Sequence, residues 1–367
     1  MRQMSRSDGQ SMPVRQHVRF LQTRDGARLA WAVAGSGPPL VKAANWLTHL
    51  EYECDSPVWG HWIRFLSSHW RFIRYDERGC GLSDWRGGPL SLPQWTSDLE
   101  AVIDAARPGS PLALLGISQG AAACIHYATL HPERVARLVL YGGYAHGAYK
   151  RGNVSAVSAY RAMTELARVA WAASNPTFRQ VFTSRFIPGG TPEQLHWFNE
   201  LCVRCTDGEI AATLLEARAT VDISDLLPQV RVPTLVLHAR ADEVVPISEG
   251  RLLASSIPGA EFVELDSRNH VLLEHEPAWN RFREAVLSFL SPGAEADRKV
   301  FDALSGRERQ VLALMADGLS NSRIAERLHI GEKTVRNHAS NLFDKLGVRS
   351  RTQAIVFAHE HGFSRKD

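Results

Sequence analysis

The chain has 367 residues, of which 44% are hydrophobic, 22% charged and 8% aromatic. These proportions exclude collagen-like, low-complexity and wholly disordered chains, and the length suits two domains or one large domain with a small one. The 42 Lys and Arg against 39 Asp and Glu give a net charge of only +3, but the excess is local. Residues 1–298 carry 30 basic and 31 acidic side chains, whereas residues 299–367 carry 12 and 8. A near-neutral body with a basic end points toward nucleic acid. Five scattered cysteines exclude a disulfide scaffold and suit a reducing, cytoplasmic setting. The first residues contain no apolar leader region, and no run of about 18 apolar residues predicts a membrane span.

In chain order, His17–Leu21 and Ala27–Ala34 read as strands around an Asp25-Gly26 hairpin turn. Pro39–Ala43 and Arg71–Tyr75 read as further strands, with a helix near Trp62–His69 between them. Leu92–Ala106 is amphipathic, Pro111–Ile117 is a continuous apolar run suited to a strand buried on both faces, and Ala121–Leu130 follows as a helix. Leu138–Tyr141, Thr234–Leu237 and Glu261–Leu265 are strand-like, and Ile247–Ile257 and Pro277–Leu290 are helical. Between Ala145 and Leu227 the pattern is helical and aromatic, which predicts an insertion packed over an α/β sheet. Ser291–Asp297 is the best linker candidate, placing domain limits at 15–291, 292–300 and 301–367.

Gly116-Ile117-Ser118-Gln119-Gly120 has the form G-x-S-x-G between an apolar strand and a helix. A sharp strand-to-helix turn there presents the Ser118 hydroxyl as a nucleophile. Such a serine needs a base, and the base needs a carboxylate to orient it. Asp242 and His270 follow two predicted strands in the order Ser, acid, His. Glu243 and Asp266 are alternative acids that also read as solvated loop carboxylates.

These residues, together with Asp76-Glu-Arg-Gly-Cys-Gly-Leu-Ser83, resemble the α/β-hydrolase superfamily over about Arg15–Ser291. The resemblance implies an ester, lactone, amide or related acyl substrate, and matches residues 145–227 to the family's helical cap. It also implies an oxyanion hole formed by the backbone N–H groups of Gln119 and Trp46. Ala44-Asn45 stands where the family often has His-Gly, and Asn tolerates the turn better than most residues.

In the basic end, Ser305-Gly-Arg-Glu308 is a capping box ahead of an apolar stripe at Val311, Leu314 and Met315. Gly318 ends that helix and Ser320 caps a second one. After a turn at His329–Gly331, Glu332–Leu346 repeats Val335, Ala339, Leu342 and Leu346 on one face. Its other face shows Lys333, Thr334, Arg336, Asn337, Ser340 and Lys345, a mixture of phosphate anchors and base-edge donors. Gly347 stops this helix and Ser350 caps a fourth. The stretches Leu304–Leu312, Gly318–Leu328, Lys333–His338 and Lys345–Ala354 resemble the LuxR-type DNA-binding domain over about Phe301–Gly362. That resemblance implies a four-helix, helix-turn-helix fold binding double-stranded DNA as a homodimer through its fourth helix. Gly331 replaces the family's usual Ser cap, a small loss.

Other features read as ordinary structure. Cys202-Val-Arg-Cys205 lacks a second pair and reads as inert thiols. His359-Glu-His361 reads as a polar helix end. The cap aromatics read as core, some of them also lining an apolar cavity. No phosphate-binding loop or metal motif occurs, so no cofactor and no metal is expected. The sequence therefore predicts an α/β-hydrolase sheet with a helical cap, followed by a small all-α DNA-binding domain. The expected function is a transcription regulator whose hydrolase domain senses, and hydrolyses where the site is complete, a small acyl ligand. The alternative is a serine hydrolase with a secondary DNA-binding tail.

Overall fold

The computed structural model describes residues 14–86, 88–109, 111–291, 301, 303–360 and 363. The predicted linker 292–300 lies outside the described residues, as do the side chains of His359 and His361. The chain divides between Ala285 and Val286 into two compact units. No helix among the described residues is long and apolar enough to cross a membrane.

The first unit is built on an eight-stranded sheet. Its strands are β1 (Gln16–Gln22), β2 (Arg28–Ala34), β3 (Pro39–Lys42), β4 (Arg71–Tyr75), β5 (Leu112–Ile117), β6 (Val135–Tyr141), β7 (Thr234–Ala239) and β8 (Glu261–Leu265). Their spatial order is β1-β2-β4-β3-β5-β6-β7-β8. The pairs β1–β2 and β2–β4 are antiparallel, and every later pair is parallel. The order turns back at β3, so β3 and β5 lie side by side in the middle of the sheet. Ligand crevices of open sheets form beyond the strand C-termini at such a reversal.

Helices α1 (Leu50–Glu53), α2 (Gly60–His69), α3 (Leu92–Ala106) and α4 (Gly120–Leu130) connect the strands up to β6. Helix α3 buries Trp95, Leu99, Val102, Ile103 and Ala106 at helical spacing, which explains its amphipathic sequence. Helix α4 is buried at most of its positions, because it packs on β5, β6 and α3 together. The insertion after β6 forms α5 (Val154–Ala170), α6 (Thr177–Phe186), α7 (Pro192–Cys205) and α8 (Gly208–Ala219), with α5 against α8 and α6 against α7. Helix α9 (Ile247–Ser256) lies between β7 and β8, and α10 (Pro277–Leu290) follows β8 and runs across the division between the two units.

The second unit has its own core around Val311, Leu312, Met315, Ile324, Val335, Leu342 and Ala354. Its helices are α11 (Gly306–Ala316), α12 (Asn321–Leu328), α13 (Glu332–Leu346) and α14 (Arg351–Glu360). Both halves of the predicted capping box form: Ser305 N–H donates to Glu308 Oε2 at 2.7 Å, and Glu308 N–H to Ser305 Oγ at 3.3 Å. Glu308 also accepts from Lys345 Nζ at 2.8 Å, which ties the start of α11 to the end of α13. Helix α12 ends on His329 in the left-handed region, and α13 begins at Gly331 with no side-chain cap.

The capping box gives a direct prediction. Ser305→Ala removes one cap bond, worth about 1 kcal/mol. Amide hydrogen exchange measured by mass spectrometry should then speed up about fivefold across α11, with peptides from the sheet unchanged.

Candidate functional site

The site begins with a steric constraint. At the end of β5 the backbone turns so sharply into α4 that a Cβ at Gly116 would lie 2.6 Å from Ala121 Cα. Only glycine allows that approach. The turn residue, Ser118, has φ 53°, a left-handed conformation that costs a non-glycine residue energy and typically persists where function requires it. Its N–H donates to Tyr141 O at 2.9 Å, so the elbow is fastened to the end of β6. Ser118 is 7% exposed.

Asp242 and His270 come together behind this elbow. Asp242 follows β7, and its Oδ1 accepts the N–H groups of Val244 and Val245 at 2.8 and 2.9 Å. Its Oδ2 lies 2.6 Å from His270 Nδ1. Burial alone would raise the Asp242 carboxyl, but His270 and the amide bonds outweigh it and hold the carboxyl below its usual range. The His270 N–H donates to Phe186 O at 2.9 Å, and the Phe186 ring stands edge-on to the imidazole at 5.3 Å. A Cβ at Gly142, one residue beyond β6, would lie 3.1 Å from His270 Cε1. Ser118 and His270 therefore meet at the same end of β6. His270 Nε2 is buried with no hydrogen-bond partner among the described residues, so it makes no hydrogen bond to Ser118.

The alternative acids stand apart. Glu243 pairs with Arg268 and Asp266 with Arg240, each at 2.6 Å in solvent. A second imidazole, His238, lies 3.7 Å from Asp242 Oδ2 and contacts Val245 O through Nε2 at 2.9 Å. Burial lowers its pKa, against the opposing pull of the Val245 carbonyl and Asp242.

Gln119 and Trp46, expected to supply oxyanion donors, are linked to each other. The Trp46 N–H donates to the Gln119 side-chain oxygen at 3.0 Å. That donor is engaged in this structure, and a ligand oxygen would have to displace the Gln119 side chain to reach it. Lys42 donates to the Asn45 side chain and fixes the preceding turn. Cys202 and Cys205 are buried, and burial pushes the Cys202 thiol up to about 12, which suppresses thiolate chemistry.

On the second unit, α13 buries Val335, Ala339, Leu342 and Leu346 and exposes Lys333, Thr334, Arg336, Asn337 and Ser340. Arg336 makes a loose 3.5 Å contact with Glu332 on its own helix. Lys345 differs from the rest of the set, because its ammonium is tied to Glu308.

Residues 63–278, more than half of the chain, match the family described as serine aminopeptidase, S33. Residues 302–358 match the bacterial regulatory proteins, luxR family. The chain belongs to both: it is an α/β-hydrolase fused to a LuxR-type DNA-binding domain. Over 253 residues this fusion is 26% identical to pyrrolizixenacetamide deacetylase of Xenorhabdus hominickii, covering 68% of this chain and 90% of that protein. Over 86 residues it is 43% identical to the DNA-binding transcriptional activator DevR/DosR of Mycobacterium tuberculosis, covering 23% of this chain and 39% of that protein. A solved hydrolase from Pseudomonas aeruginosa superposes with a TM-score of 0.61 at 28% identity, over 74% of this chain and 98% of that one.

Sequence reasoning missed three features of the fusion's site: the Gln119 side chain on Trp46, His238 beside Asp242, and the buried pair of Arg218 with Glu77. Arg218 had a readable signal. Ile210, Leu214 and Arg218 repeat every four residues, so a charged residue sits in the apolar stripe of α8.

The elbow predicts a sharp contrast between two glycines. Gly116→Ala should cost more than about 3 kcal/mol or prevent folding, because overpacking here is against backbone. Gly306→Ala, whose Cβ would meet nothing within 4 Å, should shift stability by less than about 1 kcal/mol. Thermal denaturation of both variants measures the difference.

Proposed function

We propose that this chain is a transcription regulator whose α/β-hydrolase domain binds, and turns over, a small ester, lactone or amide ligand, with the DNA-binding domain as its output. The observation that carries this reading is the buried Asp242–His270 pair, held at 2.6 Å beside a strained Ser118, in one chain with a helix that exposes a basic face. A relative named as a deacetylase supports acyl chemistry.

In this reading Ser118 Oγ attacks the ligand carbonyl. His270 donates Nδ1–H to Asp242, which leaves Nε2 unprotonated to take the Ser118 proton and later return it to the leaving group. Asp242 orients the ring and stabilises its charged form. The Gln119 and Trp46 N–H groups receive the oxyanion once the Gln119 side chain has moved off Trp46. Water then releases the acyl group. Turnover destroys the signal and resets the sensor.

The output domain reads double-stranded DNA as a homodimer. Lys333 and Arg336 anchor phosphates, while Thr334, Asn337 and Ser340 face base edges. Helix α14 supplies the dimer surface, where Val356 is 46% exposed beside Val348 and Phe357.

Intact-mass analysis after treatment with a fluorophosphonate tests the hydrolase half. One adduct should form on the native chain and none on Ser118→Ala. An adduct surviving that substitution would remove Ser118 from the mechanism, and no adduct on the native chain would leave a binding-only sensor.

Fluorescence-anisotropy titration at several salt concentrations tests the DNA half. Arg336→Ala and Lys333→Ala should each weaken binding and reduce the salt slope by about one. Absence of salt-dependent DNA binding would instead favour a free-standing hydrolase.

A further inference from the structure

Around Arg218 of the cap, several buried donor atoms have no acceptor among the described residues. Arg218 on α8 is only 5% exposed although it carries a full charge. Its Nη2 donates to Glu77 Oε2. Its Nε and Nη1 have no hydrogen-bond partner among the described residues, and the same holds for the indole Nε1 of Trp46 and of Trp95. The guanidinium carbon stands 4.7 Å from the Trp46 ring centroid and 5.8 Å from that of Trp95. The guanidinium thus packs against both indole rings, and every atom of these three side chains that lacks a partner among the described residues is a donor. Glu77 Oε1, on the carboxylate that pairs with Arg218, is also without a partner among the described residues.

This place adjoins the reacting centre. Trp46 is the residue whose N–H is held by Gln119, next to Ser118. Its ring also meets Trp171 of the cap at 5.8 Å. The donors therefore sit where the loop after β3 faces the cap, one side chain away from the elbow.

A buried cation with surplus N–H groups is costly unless something accepts from them. Solvent can do so, but a guanidinium with two free donor atoms, packed on two tryptophans whose own N–H groups are also unpartnered among the described residues, selects an anionic oxygen over a neutral one. We propose that Arg218, with Trp46 and Trp95 on either side, recognises a carboxylate on the ligand, so that the acyl compound bound by the hydrolase domain carries a negative charge. The proposal rests on the reading that this domain binds a small acyl ligand. Glu77 supports it: burial pushes its carboxyl up to about 7 against the pull of Arg218, so it can take a proton when a second carboxylate arrives.

The test is binding to the full chain, followed by thermal melting and calorimetric titration. The probes are phenylacetate and hexanoate, compared with phenylacetamide and hexanamide. The carboxylates should raise the melting temperature and bind at least about tenfold more tightly than the amides. Arg218→Gln should abolish that preference. Because that variant leaves Glu77 unpaired and can fail to fold, Trp95→Phe, which removes one N–H and little volume, should weaken the carboxylates several-fold and the amides hardly at all. Equal binding of acids and amides, no melting shift with either acid, or a preference that survives Arg218→Gln would overturn the proposal and leave solvent as the partner of these donors. Fluorophosphonate labelling of Ser118 does not depend on Arg218, so failure of the catalytic reading and failure of this one are distinguishable.

Discussion

The hydrolase unit depends on one close approach, that of β5 to α4 at Gly116 and Ala121. If the two backbones could not meet there, Ser118 would not be forced into the left-handed region at the crest of the turn. The turn also fixes the neighbours. It aligns the Ser118 N–H with Tyr141 O, and it sets Gln119 opposite the loop after β3. Parallel pairing of β6 with β7, and of β7 with β8, then carries Asp242 and His270 to the same edge of the sheet. Strand order thus brings these residues together, and the strain at Ser118 is tolerated because a large buried core lies beneath it.

A second constraint is the charge buried at that edge. Arg78 lies between Asp98 and Asp25, with 2.7 Å contacts to both, and burial is nearly complete for Arg78 and Asp98. Arg74 pairs with Glu53 at 2.7 Å, also buried. Asp76 accepts the Leu50 and Leu82 N–H groups, and burial pushes its carboxyl up to about 6. Such pairs add little net stability over an apolar core, yet breaking one costs about 3–5 kcal/mol. Their effect is positional. They hold the loop 76–83 and the segment after β3 in one arrangement, so the residues facing the cap are presented on a rigid floor.

Much of this was legible in the sequence, for physical reasons that can be named. Helices α3 and α10 and strand β8 coincide with their predicted spans because period and flanking breakers agree. The strand before Asp242 was readable as an apolar run buried along its length, whereas β8, before His270, is only partly buried and showed itself through Phe262 and Val263 between two glutamates. Helix α1 was missed, since four residues are too few to show a period; it is held by the His49 side chain accepting Tyr52 N–H. Long-range polar pairing was not readable at all. Trp46 and Gln119 are 73 positions apart, and Glu77 and Arg218 are 141 apart. Local pattern carries no information about such partners, although an arginine in an apolar stripe signals that one must exist.

The fusion of these two units sets an energetic condition on any sensing role. A ligand alters DNA occupancy only through a difference in free energy between the states it binds, about 2.7 kcal/mol for a hundredfold change in affinity. That is comparable to gaining or losing one buried charged hydrogen bond. The cap and the loop after β3 meet through Trp46 and Trp171, and beside that contact lie the Gln119 side chain on the Trp46 N–H and the Arg218 donors, the groups through which the proposed ligand would act. A ligand that exchanges either set of bonds supplies free energy of the required size without unfolding any element. A hydrolase fold suits the proposed role because groups that stabilise a tetrahedral oxyanion also distinguish an acyl ligand from its product, so recognition and removal of a signal would need only one site.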